Sequence, residues 1–375
     1  MSLMPIRKTL IIALSLLALC TAACGGRPAP EHKPLTHRDS IRIAHKAHRD
    51  SIRAIRRMPE AYRDSVKAAR LEAARLEALR TRLVDTLQYK ALMDSLANGD
   101  TSGRWPVRAP YPYQGAILPY HRVVAYYGNL YSKKMGVLGE YPPDTLWQML
   151  RREMAAWQKA DPSTPVVPAI HYICTTAQGS PGRDSLWRLR MPRKQIDSVL
   201  AIAAMGNALV FLDIQVALSN VQAEVPVIEE YLKLPHVHLA IDPEFMMHGG
   251  KRPGSVIGSM DASQVNWCAK YLQKIVQENN LPPKMLVIHR FTTSMVKNAS
   301  EIRPLPEVQI IMDMDGWGGP RLKRSTYRAC IWKEPVQFTG FKLFYKNDIK
   351  QEPNRMMTPT EVLQLSPKPI YIQYQ

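Results

Sequence analysis

Acidic side chains recur in this sequence at the ends of short apolar runs, in pairs whose chemistry is that of proton transfer. Asp242 and Glu244 are two residues apart, as are Asp313 and Asp315, and Asp213 stands in the same relation to Gln215. In an extended strand that spacing puts both members of a pair on one face. Two carboxyl groups flanking a sugar are the machinery of glycoside hydrolysis. One, protonated, gives its proton to the leaving oxygen, and the other attacks the anomeric carbon or activates water. The sequence assigns the acid to Glu244 with Asp242 beside it, the opposing base or nucleophile to Asp313 or Asp315, and an orienting, charge-stabilising part to Asp213. Aromatic residues stand near them: Tyr127, Phe245, Trp317, Tyr345 and Tyr374 can offer flat apolar platforms to sugar rings. Asn129, His171, Gln215, His289 and Gln373 are placed to hydrogen-bond substrate hydroxyls, and Lys342 can hold an anionic group or pair with an acid.

The same residues admit two other readings. His171, Asp213, Asp242, His289 and Asp313 form a list that could hold a divalent metal in a barrel hydrolase acting on phosphoesters or amides. The first apolar run, however, lacks the His-x-His pair that many such enzymes carry. The other reading is a barrel that binds cell-wall glycan at its rim and uses its acids for hydrogen bonding alone. The paired-carboxylate reading calls for no cofactor and no metal.

For these residues to meet, the chain must bring many run ends to one place. Apolar, β-branched runs at 123–127, 166–172, 208–214, 237–241, 285–289, 308–312, 338–344 and 370–374 read as strands. Amphipathic segments at 144–159, 194–205, 221–234, 261–279, 321–331 and 360–365, with a short one near Ser294, read as helices. Strands and helices alternating over residues 104–375 predict an α/β fold, a (β/α)8 TIM barrel, whose reacting groups sit at the carboxyl ends of the strands. The chain ends on its last strand. The outer face of that strand is therefore expected to be covered by the end of the helical segment before the barrel or by residues 103–120. Two glycine-rich loops, 249–254 and 316–320, are expected at the rim, the first as a basic flap and the second letting backbone approach a ligand beside Trp317.

Residues 1–23 combine a basic head at Arg7 and Lys8, an apolar run at 10–19 and small residues before Cys24. This is the pattern of a signal peptide cleaved ahead of a cysteine that takes a lipid on its thiol. Residues 24–103 read as a charged stalk, helix-forming and nearly free of glycine from about 35 to 98 and broken there at Pro59. Within it the sequence at 37–42 returns at 48–53 and, loosely, at 62–67. The offsets of eleven and fourteen residues let Ile41, Ile52 and Val66 share one stripe, suited to a coiled coil or to docking. A helix from Pro59 to Asn98 would reach roughly 60 Å. The net charge of +18 would suggest nucleic acid in a cytosolic protein. An exported chain meets anionic glycans, lipid headgroups and cell-wall polymer instead, and nucleic acid is not expected. Beyond the leader, Cys174, Cys268 and Cys330 have neither zinc nor disulfide spacing and read as small buried hydrophobes.

Five stretches resemble a family of uncharacterised exported bacterial lipoproteins with a glycoside-hydrolase-like TIM barrel. They are Val124-Ala125-Tyr126-Tyr127-Gly128-Asn129, Met135-Gly136-Val137-Leu138-Gly139-Glu140, Leu239-Ala240-Ile241-Asp242-Pro243-Glu244-Phe245, Ile257-Gly258-Ser259-Met260-Asp261-Ala262 and the closing Tyr371-Ile372-Gln373-Tyr374-Gln375. The resemblance runs from about residue 120 to the end and leaves out the stalk. It implies the barrel and an exported setting; the family has no settled activity. Gly25 after Cys24 is similar to lipoproteins passed on to the outer membrane of Gram-negative bacteria. That likeness implies a protein of the cell envelope, held to the bacterial membrane by its lipid, whose partner is polysaccharide or cell-wall glycan.

Overall fold

Runs such as Val123-Val124-Ala125 can lie in a sheet buried on both sides only if helices cover one face and side chains fill the other. The computed structural model describes residues 84–375. The expected signal peptide, Cys24 and the stalk ahead of Val84 lie outside the described residues. The barrel strands are β1 (Arg122–Gly128), β2 (Val166–Ala177), β3 (Leu209–Ile214), β4 (Val237–Ile241), β5 (Lys284–Arg290), β6 (Val308–Met314), β7 (Phe338–Leu343) and β8 (Tyr371–Tyr374). Each pairs in parallel with the next, and β1 pairs with both β2 and β8, so the sheet closes into a ring. This is the TIM-like α/β barrel that the alternating pattern predicts.

Among the described residues, five helices of eight or more residues, α1 (Thr86–Ala97), α2 (Pro143–Ala160), α3 (Arg193–Ala204), α4 (Ala262–Asn279) and α5 (Pro320–Tyr327), are joined by the short α6 (Pro359–Leu363). In α2, proline opens the helix and Leu146, Trp147, Leu150 and Trp157 form its buried stripe. Asp261 and Gln264 close a capping box on α4. The helix expected over 221–234 is broken into Val221–Glu224, a tighter turn at Val225–Ile228 and Glu229–Leu232. Pro226 has no N–H to continue the ladder there. Strand β2 runs five residues past its expected end, and its tip pairs antiparallel with Arg188–Arg190. Buried Glu224 holds that hairpin, accepting from Arg188 Nε at 2.8 Å and from Arg190 Nε at 2.7 Å.

Helix α1 closes the amino-terminal end of the barrel. Asp85 caps it by accepting from the Leu87 and Gln88 N–H groups. At its other end Asn98 donates to the carbonyls of Leu363 and Leu365. Its buried face, Tyr89 and Met93, packs with Val84 and Leu118 onto the inward side chains of the strands, Val123, Phe211 and Val287 among them. Gln309 inside the ring accepts from Ile117 and Leu118 N–H and donates back to the Leu118 carbonyl at 2.6 Å. The expectation that this segment covers the outside of β8 is thus corrected. Ring closure brings α2 next to β8, and Trp157 Nε1 on α2 donates to Tyr374 OH at 2.9 Å. Because Met93 belongs to the barrel core, Met93→Ala should lower the unfolding free energy by about 2–5 kcal/mol in a urea titration.

Cys174, Cys268 and Cys330 are buried free thiols. Among the described residues no helix is long and apolar enough to cross a membrane.

Candidate active site

Side chains of a parallel barrel strand alternate between the interior and the helix layer, so inward residues two apart climb toward the mouth. On β3 and just beyond it, Asp213 lies fully buried and Gln215 one step higher; on β6, Asp313 lies below Asp315. Above them a cavity of about 460 Å³ opens at the carboxyl ends of the strands. Asp242, Glu244, Asp315, Gln215, Lys342 and Tyr127 line it, with Phe245, Phe291, Trp317 and Phe344 as aromatic walls. Every carboxyl group singled out in the sequence therefore comes to one end of the barrel.

Strand β4 stops at Ile241, whereas the two-residue spacing had read Asp242 and Glu244 as a continuing strand. Residues Pro243–Phe245 instead form a tight turn, capped by Asp242 Oδ1, which accepts from Glu244 N–H at 3.1 Å. Proline at the first position and an aspartate before it favour that turn. Glu244 still reaches the cavity, now from a turn.

A charged layer forms the floor. His289 is at its centre, with Nε2 3.4 Å from Asp213 Oδ2 and Nδ1 3.4 Å from Asp313 Oδ2 and 3.3 Å from Asp315 Oδ2. His171 Nε2 approaches the same Asp213 oxygen at 3.5 Å. Lys342 Nζ lies 2.9 Å from Asp315 Oδ1 and 3.7 Å above the Tyr127 ring. Gln215 donates to Asp242 Oδ2 at 3.1 Å and accepts from Ala177 N–H. Strand β7 makes room for this layer with Gly340, where a Cβ would lie 2.4 Å from Asp313 Oδ1.

Burial and these contacts drive the carboxyl groups in opposite directions. Burial raises Glu244 to about 7, reinforced by the negative charge of Asp315. Burial raises Asp242 to about 8 against the pull of His289. Asp313 is also raised, burial outweighing its contact with His289. For Asp315 burial acts in the same sense, but the positive charges of Lys342 and His289 overcome it and hold the group below the usual carboxylate range. Asp213 is likewise held low, because His289 and His171 outweigh burial. Burial would lower His289, yet the charges of Asp213 and Asp315 keep it well above an ordinary imidazole. His171 is lowered to about 4 by burial and stays neutral.

The donor atoms of His171, Asp213 and His289 lie within 4.8 Å of one another, and those atoms lack hydrogen-bond partners, so the group has the composition of a metal site. The groups behind His171 set which tautomer it takes. Tyr371 OH lies 2.6 Å from His171 Nδ1, and Gln373 Nε2 lies 3.0 Å from the same nitrogen and donates to Tyr371 OH at 3.0 Å. An Nδ1 that accepts leaves the ring proton on Nε2, facing Asp213. In that tautomer His171 offers an N–H rather than a lone pair; with Nδ1–H donating to Tyr371 OH instead, Nε2 presents the lone pair that a metal takes.

Some expected contacts are absent from the cavity. Asn129 is buried beside it, donating to the Ile173 carbonyl and accepting from Tyr131 N–H, so it ties β1 to β2. Tyr345 points toward α2, bonded to Tyr126 OH and Glu153, and Tyr374 faces outward beside it. Tyr374 ends β8 and Tyr345 lies two residues beyond β7, and alternation turns both rings to the helix layer. His171, His289 and Gln373 are fully buried beneath the cavity. The basic loop at 249–254 does not line it, whereas Gly316 and Trp317 do.

Phe291, Phe344 and Gln375, which the sequence reading passed over, line the cavity two residues beyond His289, Lys342 and Gln373. Lys134 and Met135 come from a loop pressed onto the end of β1. Gly136 makes that possible: at φ 146° it places its α-carbon where a Cβ would lie 2.3 Å from the Tyr127 carbonyl.

A buried ion pair fixes the rim. Lys323 Nζ donates to the carbonyls of Gly316 at 2.9 Å and Lys342 at 2.8 Å and pairs with Asp348 at 3.0 Å. Asp348 in turn accepts from Gly318 and Phe344 N–H. Lys323→Met should therefore loosen the Trp317 loop, read as faster hydrogen exchange at 316–319 while amides of β3 and β5 keep their protection.

No protein-family profile matches this chain, and no curated protein matches its sequence.

Proposed function

We propose that this protein is a glycoside hydrolase of the cell envelope, anchored by a lipid on Cys24 and cleaving polysaccharide by paired carboxyl groups. One observation carries the reading: a single cavity holds Glu244, kept protonated to about 7, together with Asp315, kept ionised beside Lys342. Groups pushed apart in this way divide the acid and base parts of one reaction. Glu244 gives its proton to the departing glycosidic oxygen. Asp315 attacks the anomeric carbon or takes a proton from the water that does, and water supplies the hydroxyl of the new reducing end. Of the two candidates at the end of β6, Asp315, one residue past the strand, is preferred because it lines the cavity while Asp313 lies beneath it with a raised pKa. Asp242 is a second neutral acid beside Glu244, and Asp213 with His289 supplies a fixed charge pair under the reacting sugar. Phe245, Phe291 and Trp317 give the sugar faces to lie against. The signal-peptide pattern and the basic composition support the envelope setting.

The test is release of reducing ends from a panel of envelope and environmental polysaccharides, with and without a chelator. Turnover that survives chelation and disappears in Asp315→Asn is expected. A protein that cleaves none of them contradicts the proposal. Turnover lost to chelator and restored by a divalent metal would instead favour hydrolysis through a metal on His171, Asp213 and His289.

A further inference from the structure

We infer that the substrate carries negative charge, bound in a second compartment beside the first; this deepens the glycosidase reading and rests on it. The compartment is a cavity of about 300 Å³. It shares Lys134, Phe344 and Gln375 with the larger one, so a chain lying in the first can continue into the second. Its walls carry three lysines, Lys133, Lys134 and Lys346, against one acid, Glu140. Lys346 is neutralised by Glu140 at 2.6 Å. Neither Lys133 nor Lys134 pairs with a carboxylate among the described residues, and both side chains are exposed. In the larger cavity Lys342 is already committed to Asp315, so the unpaired ammonium groups lie at the smaller one.

Tyr141 and Phe344 supply ring faces, so the compartment combines stacking surface with two free ammonium groups. A neutral sugar uses only the first of these. An acidic sugar uses both: its ring stacks and its carboxylate or sulfate takes the place of the missing counter-charge. The ammonium groups also raise the local concentration of a polyanion and favour its encounter at low salt.

Isothermal titration of the full chain with oligogalacturonate, a sulfated oligosaccharide and a neutral cello-oligosaccharide of matched length tests this. The stalk is basic as well, so the subsite is read from the difference between the wild type and Lys133→Ser/Lys134→Ser. The double variant is expected to lose about tenfold in affinity for the acidic probe, the combined worth of two exposed charge contacts, and to show a shallower salt dependence. Whichever of the two acidic probes loses more identifies carboxylate or sulfate as the group held. Equal affinity for acidic and neutral probes, or acidic binding unaltered in the double variant, overturns the inference. Both lysines are on an exposed loop, so folding is not in question, and circular dichroism verifies it. The readout is binding, so a protein that binds acidic glycan here and cleaves nothing would contradict the glycosidase proposal while supporting the subsite.

Discussion

Glu244→Gln should yield a folded protein whose turnover falls by about 10²–10⁴-fold, the usual worth of a positioned general acid. Glutamine keeps the shape of the side chain and has no proton to give. In the wild type, activity should fall as pH rises through about 7, where Glu244 surrenders its proton. The residual activity of the variant should lack that limb. Stability should fall over the same range. The folded-state pKa is raised from 4.5 to about 7, so the stabilising contribution of Glu244 is complete below 4.5 and is lost as pH rises through about 7. The variant never ionises at this position. Its melting temperature relative to wild type should therefore climb across that interval and level off above it. A variant that lost turnover with no such change in stability would show that Glu244 is not held neutral. Unchanged turnover would remove it from the chemistry.

His289→Leu is the substitution expected to damage the fold most. His289 is the cation between Asp213, Asp313 and Asp315, at 0 % exposure. Removing it leaves buried Asp213 with no cation beside it, only neutral His171 and Tyr127, a loss of about 3–5 kcal/mol by the measure of broken buried pairs. The double variant His289→Leu/Asp213→Leu should recover part of that loss, because no uncompensated charge remains. Urea unfolding of both proteins decides it; a double variant no more stable than the single one would contradict the charge-pair account. The wild-type pair also has a pH signature. His289 is raised, so its contribution is present below the ordinary imidazole value of 6.5 and lost as pH rises above it. Asp213 is lowered, so its contribution is present above 3.8 and lost as pH falls below it. Stability from the pair should peak between those two values.

Much of this architecture was legible in the sequence because buried parallel strands advertise themselves as apolar runs, and all eight runs became strands of one closed ring. The convergence of Asp213, Asp242, Glu244, Asp313 and Asp315 at one end was legible for the same reason, since alternation fixes which residues share the interior. Continued one step further, alternation also marks Phe291, Phe344 and Gln375. What it could not carry was depth and direction past the strand ends. Asn129 and Tyr345 occupy run ends yet serve neighbouring elements, and Glu244 arrives on a turn. Lys134 and Met135 come from a loop whose path depends on how closely Gly136 lies against β1, a contact that no periodicity records. The place of α1 was hidden too, because a helix that stoppers a ring and one that lies along it can have the same pattern.

That stopper has a kinetic consequence. With Tyr89, Met93 and Leu118 filling the amino-terminal end, the barrel interior is closed on that side. A polymer cannot be threaded along the axis, so under the proposed hydrolysis substrate and product would share the carboxyl-end mouth. Accumulating product should accordingly compete with fresh substrate, a slowing that dilution reverses.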